Sequence, residues 1–84
     1  MMKDPKIVLF STDHCTFCDA ALELLFSMPE LQGLSLTVVD VAEDDRLLSR
    51  YGERLPVVQV GAFELDWPFG RDEISLALGE SEQD

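Results

Sequence analysis

This sequence predicts an α/β domain, one four-stranded mixed sheet flanked by helices, on the strength of three observations. Short apolar, β-branched runs alternate with helical patterns in the order β-α-β-α-β-β-α. The 84 residues allow a single core, so these segments share one sheet. The first helical pattern lies between two apolar strands, which makes a β-α-β unit: a parallel pair with a right-handed crossover.

Residues 6–11 read as a fully buried strand, and residues 15–28 as a helix. In that helix Cys18, Ala21, Leu22 and Leu25 recur at the three-four spacing of one buried face, with Glu23 on the other side. Pro29 and Gly33 mark its end. Residues 34–41, rich in β-branched side chains, read as a second buried strand. A shorter helix is expected over 43–51, with Leu47, Leu48 and Tyr51 inward and Gly52 as its stop. Residues 57–60 and 63–65 pair as a hairpin about Gly61-Ala62. A last helix over 71–78 buries Ile74, Ala77 and Leu78. This order is the minimal thioredoxin-like architecture. The chain, 1–84, is expected to be one such domain, with 79–84 as an acidic, disordered tail.

Seventeen acidic residues stand against six basic ones, for a formal net charge of −11. Such a surface repels phosphate backbones and anionic lipid, which argues against nucleic-acid and membrane-surface partners. It is either a solvated face or one suited to cationic partner proteins. The apolar runs are too short to span a bilayer, and Met1-Met2-Lys3-Asp4 does not open a signal peptide, so a cytoplasmic location is expected. In a reducing compartment a lone C-x-x-C is catalytic, redox-sensing or metal-binding rather than a structural staple.

Both cysteines, Cys15 and Cys18, fall in that motif, just after the first strand and where the first helix begins. Unpaired amides at a helix start stabilise an anion. Cys15 there is the expected nucleophile, and Cys18, one turn in on the apolar side, resolves the mixed disulfide. Asp13 works against the Cys15 thiolate and a protonated His14 works for it; His14 is otherwise an ordinary loop residue. The amides touch the sulfur while an exposed Asp13 is screened, so a lowered thiol pKa is expected. A structural zinc site needs four ligands, and only His14 could join the two cysteines, so no metal is expected.

Two further segments carry chemistry. In Arg54-Leu55-Pro56-Val57, the proline is either strand punctuation or a cis residue facing the thiols, leaving the Leu55 backbone to an extended substrate. Trp67 and Phe69, beside Pro68, either cap the core or line a substrate groove, where the helix entrance after Gly70 would attract a carboxylate.

Three motifs in order, His14-Cys15-Thr16-Phe17-Cys18, Arg54-Leu55-Pro56-Val57 and Trp67-Pro68-Phe69, make the chain similar to the glutaredoxins. It resembles more closely a group of small bacterial glutaredoxin-like proteins, over about residues 6–78. The resemblance implies a thioredoxin fold, a cis bond before Pro56, and thiol-disulfide exchange with Cys15 as nucleophile. Substrate contacts are then expected from His14, Thr16, Phe17, Arg54, Leu55, Pro56, Trp67, Phe69 and Gly70. The expected partner is a disulfide-containing or glutathionylated protein, met by a monomer with no tightly bound cofactor. Glutathione is implied as co-substrate, with Arg54 meeting its carboxylate. The chain departs from the glutaredoxin pattern in having Thr12 and Asp13 where a lysine is usual, and Phe69-Gly70 near the usual glycine pair. Two other functions fit the resemblance. One is a [2Fe–2S] centre held by Cys15 of two chains with two glutathiones; the other is a redox-sensing interaction module without turnover.

Overall fold

A computed structural model describes residues 6–13 and 15–81. Its elements are β1 (Ile7–Ser11), α1 (Thr16–Phe26), β2 (Leu36–Asp40), α2 (Asp45–Tyr51), β3 (Val57–Val60), β4 (Phe63–Asp66) and α3 (Arg71–Ser81). Short 3₁₀ turns over Pro29–Leu31 and Val41–Glu43 precede β2 and α2. The four strands form one sheet in the order β2-β1-β3-β4. β1 and β2 are parallel, joined through α1, while β1–β3 and β3–β4 are antiparallel. This is the thioredoxin-like fold.

Alternation along the strands divides the apolar side chains between the two faces of the sheet. Ile7, Leu9, Val58 and Val60 pack under α1 and α3, meeting Ala21, Leu25, Ile74, Ala77 and Leu78. Phe10 and Val57 face the other way, against Val41 and Tyr51 on the α2 side. There the Phe10 and Tyr51 rings stack with centroids 4.2 Å apart and planes 14° apart. Tyr51 keeps its hydroxyl satisfied by donating to a Glu64 carboxylate oxygen on β4. Burial first, and then that hydrogen bond, raises the Tyr51 phenol above its ordinary pKa.

Several boundaries and faces differ from the sequence reading, for physical reasons. The strand expected over 34–41 is shorter, and it lies at the edge of the sheet with Thr37 and Val38 exposed instead of being buried. Its β-branched content suits a pleat, and the burial follows from position in the sheet. The helix expected over 43–51 begins at Asp45, because Asp44 turns the chain and accepts the Arg46 amide as N-cap. Leu47 and Tyr51, four residues apart, share its inward face, whereas Leu48 is exposed. Glycine is needed at position 52 for space: a Cβ there would fall 2.5 Å from the Leu48 carbonyl oxygen. In the hairpin, Gly61 takes a φ of 60°, as a two-residue turn between Val60 and Phe63 demands. The last helix runs three residues past the expected Leu78, to Ser81, so the tail does not begin at residue 79. Residues 82–84, and His14, lie outside the described residues.

No described helix is long and apolar enough to cross a membrane.

Candidate functional site

β1 ends at Ser11, and Phe10 pairs with Val57, the residue after Pro56. The register therefore sets the loop that carries Cys15 beside the loop that carries Pro56. Cys15 is the N-cap of α1, with extended backbone, and its Sγ accepts a hydrogen bond from the Cys18 amide at 3.2 Å. Cys18 is buried one turn along, while Cys15 is partly exposed. The two are joined as a disulfide, Cα to Cα 5.2 Å, so the pair is seen in its oxidised state. The sulfurs are thus unequal: one is open to solvent beside helix amides, and the other is packed into the protein.

The spacer residues diverge. Thr16 and Phe17 are both exposed, Phe17 at 59%. Phe17 faces Trp67, ring centroids 6.2 Å apart, and Trp67 meets the buried Phe69 edge-on at 5.1 Å. The Trp67 amide donates to the Pro56 carbonyl at 3.1 Å. These contacts gather all three sequence motifs at one end of the sheet. Phe69 caps the core; Trp67, half-buried, both packs against it and faces Phe17, which lies between the cysteines. The Leu55–Pro56 and Trp67–Pro68 peptide bonds are cis, and Pro56 is buried. Leu55 packs its side chain into the α2-side core.

Arg54 and Gly70 each engage carboxylates of the protein itself. The Arg54 guanidinium binds Asp66 at 2.6 Å and lies 3.7 Å from Glu64. Hydrogen bonding to Asp66 raises its already high pKa further. It also sits over the Tyr51 ring at 5.4 Å, with Arg50 at 5.3 Å. The Gly70 amide donates to Glu73 Oε1 at 3.2 Å, as in half of a capping box. The next residue, Arg71, reaches Ser27 at 2.9 Å, where α1 ends. The mouth of α3 therefore lies toward the end of α1 away from Cys15.

Asp19, Glu64 and Asp66, given no role in the sequence reading, complete the site together with residues already named. Thr12, Asp13, Thr16 and Asp19 line an open depression beside Cys15. Glu64 and Asp66 hold Arg54. The Asp66 contact had a signal: a turn at Gly61-Ala62 sets Val57 opposite Asp66, one step from the Arg54 loop. Asp19 had one as well, lying one helical turn after Thr16.

A family model described as Glutaredoxin-like domain (DUF836) matches residues 6–79. The chain belongs to the glutaredoxin-like family. Among solved structures, a structural-genomics target protein from X. campestris, XcR50, is similar at 32% identity and a TM-score of 0.73. That match covers 88% of this chain and 96% of the other. None of the curated proteins compared with it matches. A glutaredoxin-like domain with a joined Cys15–Cys18 pair has a redox role of the thioredoxin-superfamily kind.

Proposed function

We propose that this glutaredoxin-like protein is a thiol-disulfide oxidoreductase. The observation that carries the reading is the Cys15 sulfur at the N-cap of α1, accepting the Cys18 amide and partly open to solvent. In the reduced protein that amide stabilises a Cys15 thiolate, the species that attacks disulfides. The Cys15 Sγ bonds to one substrate sulfur and the other leaves as a thiolate that takes up a proton. Cys18 then loses its proton and attacks Cys15 Sγ, closing the Cys15–Cys18 disulfide and releasing the second substrate thiol. Two electrons pass from the protein dithiol to the substrate disulfide, and an external dithiol restores the reduced pair. One chain supplies both sulfurs, so a monomer suffices, with no bound cofactor. Leu55, before Pro56, offers its backbone to an extended substrate, since no described group pairs with its amide or carbonyl. Both cysteines of the chain serve exchange and none a structural cross-link, which suits a reducing compartment such as the cytoplasm.

The test is turnover of a peptide disulfide driven by dithiothreitol, compared with a Cys15→Ser chain. No acceleration over dithiothreitol alone would sink the proposal. A second expectation concerns the thiolate. Alkylation of the reduced protein should titrate with a midpoint below the ordinary thiol pKa of about 8.5, attributable to Cys15 by mass. The carboxylate of Asp13 opposes this and the Cys18 amide favours it. A midpoint at or above about 8.5 would show that the helix start does not activate the sulfur.

A further inference from the structure

Given that exchange reading, the surroundings of Cys15 specify which disulfides the site accepts. A substrate bearing free carboxylates, such as glutathione, needs an available cation or an open helix start. Both features are occupied by the protein's own acids: Arg54 by Asp66 and Glu64, and the Gly70 amide at the mouth of α3 by Glu73. Beside Cys15, the depression is lined by two threonines and two aspartates, Thr12, Thr16, Asp13 and Asp19. Asp19 and Phe17 are two residues apart on α1, which places them on roughly opposite flanks of the helix. The disulfide thus lies between an acidic hollow and an aromatic ridge made by Phe17 and Trp67. The ridge can be covered by an apolar side chain, and the hollow complements a positive one.

We propose that the site selects disulfides carried in cationic protein segments and discriminates against glutathione disulfide. Lysine or arginine beside the half-cystine meets Asp13 and Asp19, and an apolar neighbour rests on Phe17 and Trp67. The net charge of −11 draws such a segment in from a distance, and the local pair fixes the preference at the sulfur. The electron balance is that of the exchange cycle, with the substrate disulfide taking two electrons from the Cys15–Cys18 dithiol.

The experiment uses the chain reduced with dithiothreitol and then freed of it, in single turnover. The probes are a lysine-flanked peptide disulfide, its glutamate-flanked counterpart, and glutathione disulfide. Formation of the Cys15–Cys18 bond is followed by alkylation and mass, and each rate is divided by that probe's rate with dithiothreitol to remove its intrinsic reactivity. The lysine peptide should react about tenfold or more faster than either anionic probe at about 0.01 M salt. The ratio should collapse toward unity near 1 M, where the Debye length falls from about 30 Å to about 3 Å. Asp13→Asn with Asp19→Asn should cut the ratio severalfold. Asp72→Asn with Glu80→Gln, which removes the same charge from α3, should cut it less. Equal normalised rates, a preference for glutathione disulfide, or equal effects of the two double variants would overturn the selectivity and leave exchange standing. No reaction with any probe would overturn exchange itself, and the selectivity with it.

Discussion

Cys15→Ser is expected to reduce exchange to the uncatalysed background, while Cys18→Ser stops the cycle half-way and accumulates a mixed disulfide. The two outcomes differ because the two sulfurs occupy different places. Cys15 is the partly exposed N-cap, and its sulfur is where a substrate sulfur can arrive. A serine hydroxyl there can still cap the helix and accept the Cys18 amide, so the fold keeps its start. It cannot form a disulfide, and the loss is of chemistry rather than structure. Cys18 is buried behind it, one turn into α1. Its removal leaves the first attack intact and takes away only the internal thiol that ejects the product. Intact mass after non-reducing quench distinguishes the cases: unchanged chain for Cys15→Ser, chain plus one substrate half for Cys18→Ser. Full exchange by Cys15→Ser, or an adduct on Cys18 in the wild type, would reverse the assigned roles.

The second large effect is on stability. Ile74→Ala is expected to cost about 2–5 kcal/mol, the range for truncating a buried aliphatic side chain. Ile74 is fully buried in the cluster that joins α3 to Leu25 of α1 and to Val58 and Val60 of the sheet. A domain of this size has a total stability of roughly 4–12 kcal/mol, so one such cavity removes a large share of it. The melting temperature should fall by roughly 10–30 °C. Leu76, two residues away on the same helix, is 69% exposed, and Leu76→Ala should change stability by no more than about 0.5 kcal/mol. Thermal unfolding of the two reduced variants checks the contrast. Equal shifts would mean that α3 does not pack on the sheet through Ile74.

The architecture was legible because period and order agree: residues 7–11, 57–60 and 63–66 are short apolar or alternating runs, and residues 16–26 repeat at helical spacing. The thiol corner followed from the same pattern, since a strand that ends at Ser11 leaves only a short loop before Cys15. What escaped was what depends on sheet position or on partners distant in sequence. Nothing in residues 34–41 tells an edge strand from an inner one, because the side chains that cover a strand belong to other elements. Leu48 reads as apolar whichever way a short helix rolls. Arg54 has the charge to bind a carboxylate, and only the β3–β4 register shows that Asp66 takes it first. The route of residues 67–70, after which Arg71 reaches Ser27, has no periodic signature.

The Phe17–Trp67 contact has a practical consequence. Trp67 is the chain's single tryptophan, and its ring faces Phe17, one of the two residues between the cysteines. The molecule therefore carries its own optical gauge: an indole within a few side chains of the sulfurs, with no second indole in the chain to compete with it. Opening and closing of the Cys15–Cys18 bond should change its emission without a dye or a coupled assay. A redox titration followed at that one residue would then place this protein on the scale of cellular electron donors.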